Sequence, residues 1–97
     1  MPTYIALIDW TGEGVRNFRD SVDRYEAAQG QLESLGVRFI DTYWTLGSHD
    51  LVGILEAPDD ESVAAGLLAV AGGGNIRSQT MRAFSIDEMR GVISKAG

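Results

Sequence analysis

Two short stretches, Tyr4-Ile5-Ala6-Leu7-Ile8 and Leu51-Val52-Gly53-Ile54-Leu55, are apolar at both odd and even positions. A strand points successive side chains to opposite faces, so a run with no polar parity belongs in a sheet interior covered on both sides. The segments "TYIALIDW" (3–10) and "DLVGILEA" (50–57) therefore read as central strands. The segments "VRFIDTYWTL" (37–46) and "NIRSQTMRAF" (75–84) also read as strands, but they carry Arg38, Asp41, Arg77, Gln79 and Arg82, which suits edges.

Helical patterns fill the gaps between strands. After "TGEG" breaks the first strand, Val15 and Phe18 mark a short helical turn. Ser21 is read as the N-cap of a longer helix. Its apolar stripe runs Val22, Tyr25, Ala28, Leu32 and Leu35, and Gly36 ends it. A tight Gly47-Ser48-His49 turn joins the second and third strands. Pro58 and the cap Asp59 open another helix, with Asp60 and Glu61 at its positive end, and Gly72-Gly73-Gly74 stops it. Ser85-Ile86-Asp87-Glu88 is a capping-box sequence, and Met89 and Ile93 supply the apolar face of a terminal helix.

The order β-α-β-β-α-β-α over one domain, residues 1–97, predicts an α+β ferredoxin-like sandwich: a four-stranded antiparallel sheet with a C-terminal helix. That fold places helices on one face only, which leaves the second apolar face of the central strands to be covered. A second copy of the chain is the expected cover, giving a homodimer or larger homo-oligomer built as a dimeric α/β barrel. The alternative is a monomer whose terminal helix folds back over the open face.

Composition excludes several classes of function. The net charge of −6, with Lys95 the single lysine, offers no basic surface for nucleic acid or an acidic membrane. No cysteine and one histidine leave no disulfide framework and no dedicated zinc site, so neither metal nor cofactor is expected. The first residues read as strand rather than as a signal peptide, and a cytoplasmic protein is expected.

Several pieces together, among them Tyr4-Ile5, Trp10-Thr11, Gly14, Asn17, Asp20-Ser21, Tyr43-x-Thr45-Leu46-Gly47, Asp50-Leu51-Val52, Glu56-Ala57-Pro58-Asp59-Asp60 and Arg82-Ala83-Phe84, resemble the GYD-domain family of small bacterial and archaeal proteins. The resemblance spans nearly the whole chain. It implies a dimeric α/β-barrel fold and no particular activity. The sequence departs from the family pattern at His49, where tyrosine is common, and at Val22, where proline is frequent.

Candidate chemistry is sparse. His49 is the one catalytic candidate, because histidine is the side chain type suited to proton transfer and Asp50 stands beside it, yet the same letters suit a hairpin connection and no catalytic residue is assigned. Ser48-His49-Asp50 is no triad, since triads assemble from separated residues. "GEGVRN" and "GGGNIR" lack the features of a phosphate loop, and Asp59-Asp60-Glu61 reads as capping rather than cation binding. Trp10, Tyr43, His49, Asp50 and Arg82 are the candidate ligand-binding residues, with Trp44 and Arg77 near them in sequence. An aromatic cleft with a cation would suit a small aromatic or carboxylated molecule; the competing reading has these residues filling a dimer core.

Two functions follow from different classes. One is an oligomeric accessory module that uses the open sheet face for assembly or for holding a small metabolite. The other, suggested by fold analogy alone, is a cofactor-independent isomerase, cyclase or monooxygenase acting on a small aromatic or polyketide-like compound.

Overall fold

A computed structural model describes all of residues 1–97. The chain runs β1 (Thr3–Trp10), α1 (Gly12–Arg16), a 3-10 turn (Phe18–Asp20), α2 (Ser21–Glu33), β2 (Arg38–Trp44), β3 (Leu51–Glu56), α3 (Asp60–Ala71), β4 (Ile76–Ala83) and α4 (Ile86–Ala96). The strands form one sheet in the order β2-β3-β1-β4, antiparallel throughout. This is the ferredoxin-like arrangement, with the two doubly apolar strands in the centre.

Parity divides the sheet into two unlike faces. Tyr4, Ala6 and Ile8 of β1 and Leu51 and Leu55 of β3 point to the helices and are buried. Leu32 of α2, Val37 just beyond it and Val63 of α3 close the core over them. The helices approach closely at Gly66, where an added Cβ would lie 2.5 Å from Leu32 Cδ2. Residues of the other parity, Ile5, Leu7, Val52 and Ile54, are only half-buried. The expectation that both faces of the central strands are buried thus holds for one face within a single chain.

The terminal helix does not fold back. Its residues are all exposed, including Ile86 at 77% and Ile93 at 59%, and it packs extensively on no other element. An Arg82–Glu88 ion pair at 3.8 Å anchors its first turn, and the capping box at Ser85 forms as the sequence indicates. The molecule is accordingly long and thin, 50 × 31 × 18 Å.

Three local readings are corrected. Ser21 does not cap α2: it is the first helical residue, and its Oγ accepts a hydrogen bond from Trp44 Nε1 at 2.9 Å. The tertiary demand of a half-covered indole outweighs the local preference of serine for a cap. Val22, read as part of the apolar stripe, is 53% exposed, because the buried position in the first turn of α2 is held by Ser21. The connection after β2 is also wider than a tight turn. It spans residues 45–50, with Thr45 N–H donating to the Asp50 carbonyl at 2.8 Å and Thr45 Oγ1 to the His49 carbonyl at 2.6 Å. Gly47 alone in it has positive φ, at 116°. No helix is long and apolar enough to cross a membrane.

Candidate functional site

The five residues singled out in the sequence lie in three separate places. Tyr43 pairs with Val52 and shares its parity, so it stands on the open face of the sheet, 60% exposed. Trp10 lies opposite Ile76 and has the parity of Ile8, which puts it on the helix side. Arg82 pairs with Tyr4, also on the helix side but at the other end of the strands.

His49 and Asp50 do not act as a pair. Nδ1 of His49 lies 3.1 Å from Oδ1 of Asp9, a carboxylate forty positions away, at the end of the open face. Both side chains remain partly exposed, at 27% and 29%. Asp50 has turned to the backbone: its Oδ2 accepts from Trp10 N–H at 2.9 Å, and its own N–H donates to the Ile8 carbonyl at 3.0 Å. These bonds extend the β1–β3 ladder past its last strand pair. A histidine held by a carboxylate can move a proton, but His49 lines neither of the two main pockets of the molecule.

Arg82 belongs to a polar cluster. The Tyr4 hydroxyl donates to Asp60 Oδ1, and the Arg82 guanidinium lies 5.8 Å from the Tyr4 ring centre and 4.6 Å from that of Phe84. The hydrogen bond to Asp60 first, and burial second, push the Tyr4 phenol above its ordinary range. Other carboxylates are held low by structural partners: Glu13 by Arg16 and Asn17, and Glu88 and Asp59 by the Ser85 and Ser62 amides they cap. No group of three or more ligating side chains gathers as a metal site would require.

The most apolar of the spaces on the helix side was not anticipated. Beyond the Gly66–Leu32 contact, α2 and α3 leave a cavity of about 250 Å3 over Ile8, Leu51 and Ile76. Trp10 and Phe39 wall it, and Ala28 and Val70 face it from the helices. Tyr25 stacks edge-on against Phe39 (5.3 Å between ring centres) and Trp44 (5.6 Å), while its hydroxyl bonds Thr42 Oγ1 at 2.7 Å. Arg24 stands at the mouth, donating to the carbonyls of Asn17 (2.6 Å) and Gly14 (3.4 Å). The one sequence signal for this place is the pair of small residues Ala27-Ala28 in α2, three and four positions after Arg24, both of which line the cavity.

The fold and these sites define a small α+β protein with one sheet face closed by helices and the other bare. The chain belongs to the GYD-domain family, whose profile matches residues 4–93. It is 31% identical over 90 residues, covering 92% of this chain and 95% of the relative, to the glutamine synthetase and cystathionine beta-lyase binding protein of Thermus thermophilus. No solved structure matches the chain.

Proposed function

We propose that this protein is an accessory binding module that pairs with a second copy through its open sheet face and docks on a larger metabolic enzyme. The observation that carries this reading is the uncovered apolar surface of the central strands: Ile5, Leu7, Val52 and Ile54 are partly exposed, with the exposed Tyr43 and Met81 beside them, and no helix packs over them. Burying ~600 Å2 of such surface is worth about 15 kcal/mol before association costs of about 4–15 kcal/mol. Two open sheets packed face to face would form the dimeric barrel that the family resemblance implies.

The apolar side of α4 then remains for another partner. Ile86, Met89, Val92 and Ile93 are 38–77% exposed on a helix that projects from the body. An amphipathic helix of this kind suits a groove on a second protein. The name of the Thermus relative supplies the class of partner: glutamine synthetase or cystathionine β-lyase.

Sedimentation velocity at micromolar concentration should show a dimer. Val52→Asp should give a monomer with an unchanged circular dichroism spectrum, since Val52 lies outside the helix-side core. A monomeric wild-type protein would overturn the pairing. Wild type should co-sediment with glutamine synthetase or cystathionine β-lyase from the same organism, and Ile93→Asp should remain dimeric but lose that association. Failure of the wild type to bind either enzyme would overturn the docking.

A further inference from the structure

We infer that the cavity between α2, α3 and the sheet is a binding site for a small apolar carboxylic acid, anchored at its mouth by Arg24. The first ground is shape. The space is about 250 Å3, close to the share of about eight liquid waters, and twelve of its seventeen lining residues are hydrophobic. Ile8, Trp10, Phe39, Leu51, Leu67 and Ile76 form a floor and walls with the dimensions of a single aromatic ring or a short branched acyl chain. A space with these walls and a partly open mouth gains dispersion contacts only when an apolar body enters it.

The second ground is charge. The chain has 14 acidic residues against 8 basic ones, yet no Asp or Glu lines this cavity, and Arg24 is the single charged residue that does. Arg24 forms no ion pair; its partners are the neutral carbonyls of Asn17 and Gly14. Those two bonds position the guanidinium and leave part of its five-donor fork free. Gln31 and Asn75, also at the lining, add neutral amide donors. An apolar body with a carboxylate at one end satisfies both features, whereas an amine would face an unpaired cation. The site lies on the opposite side of the sheet from the proposed dimer face, so it stands or falls separately from that reading.

The test uses phenylacetate, its neutral isostere phenylacetamide, and phenethylamine, titrated into the full chain by calorimetry and followed by the fluorescence of Trp10 in a Trp44→Phe background. Phenylacetate should saturate with Kd of roughly 0.1–1 mM, as befits a ligand of this size. The amide should bind about tenfold more weakly or worse, because it forfeits a charge-assisted hydrogen bond, and the amine should not bind. Arg24→Gln should bring the acid and the amide to equal affinity. Ala28→Phe, which fills the cavity and leaves the Arg24 charge in place, should abolish binding of both. The inference is overturned if wild type binds no phenylacetate at millimolar concentration, or binds acid and amide alike. It is equally overturned if folded Ala28→Phe binds as wild type does. Should a variant fail to fold, the acid–amide comparison on wild type still decides.

Discussion

The tightest contact between elements predicts a large effect from one methyl group. Gly14 is a buried residue of α1, and a Cβ built on it would lie 2.0 Å from the Asn75 carbonyl oxygen and 3.2 Å from Trp10 Cβ. The first of these is backbone, which no rotamer change can relieve. Gly14→Ala must push α1 away from the start of β4, which strains or breaks the Thr11 N–H to Asn75 carbonyl bond (3.0 Å) and the Thr11 hydroxyl to Gly74 carbonyl bond (2.6 Å). Two hydrogen bonds at about 1 kcal/mol each, plus about 1–3 kcal/mol of overpacking, give a loss of roughly 3–5 kcal/mol. The higher helix propensity of alanine returns about 1 kcal/mol. The expected net loss is therefore about 2–4 kcal/mol by urea denaturation at fixed m-value. Gly12→Ala is the matched control in the same helix, since its added Cβ meets nothing closer than 3.7 Å. That variant should be neutral or stabilised by up to ~1 kcal/mol. Equal effects at the two positions would refute the close approach of α1 to β4.

The phenol of Tyr4 is raised above 10.0, so its contribution to stability should be complete below the unfolded tyrosine pKa and fade as pH rises through the folded value. Tyr4→Phe should lower stability by about 1–2 kcal/mol at neutral pH and flatten the alkaline limb of the stability profile; an unchanged limb would deny the Asp60 bond. His49→Ala should lose only ~0.5–1 kcal/mol, because its contact with Asp9 is partly solvated, and a double-mutant cycle with Asp9→Ala should assign the loss to that pair. A coupling near zero would mean that the two side chains do not meet in solution.

The strand order could be read from the sequence because composition differs strongly between central and edge strands. Tyr4-Ile5-Ala6-Leu7-Ile8 has no polar parity, while the β4 segment has Arg77, Gln79 and Arg82 within six residues. Capping was legible where the cap is local: Asp59 accepts from Ser62 N–H at 2.8 Å and Ser85 completes its box with Glu88. It was misread at Ser21, where the deciding partner, Trp44, lies 23 positions away. His49 is the same kind of case, since its partner is Asp9 rather than its neighbour Asp50. Contacts across this distance depend on strand register, and register is fixed by how the whole sheet packs.

Parity explains why the proposed ligand residues scattered. Tyr43 and Trp44 are adjacent in a strand and must face opposite ways, so a cleft containing both was never available to the chain. The even positions of β1, Tyr4 and Trp10 among them, went to the helices together with Trp44 and Arg82, while Asp9 and Tyr43 went to the open side. The choice between these two assignments rests on the helices. Once Leu32, Val63, Leu55 and Ala6 share one core, alternation places the side chains of β1, β3 and β4, while β2 changes parity at the irregularity between Phe39 and Asp41. The helix side thereby acquires both concave features, the Tyr4–Asp60–Arg82 cluster and the cavity at Arg24. The open side keeps Ile5, Leu7, Val52 and Ile54, with the His49–Asp9 pair at its end. A partner on the open face would therefore meet aliphatic surface with one titratable pair at the margin, whereas a ligand on the helix side would meet aromatic walls and an unpaired cation. Apolar patterning identifies both surfaces as unfinished, but only the charge beside each distinguishes a surface suited to another protein from one suited to a small acid.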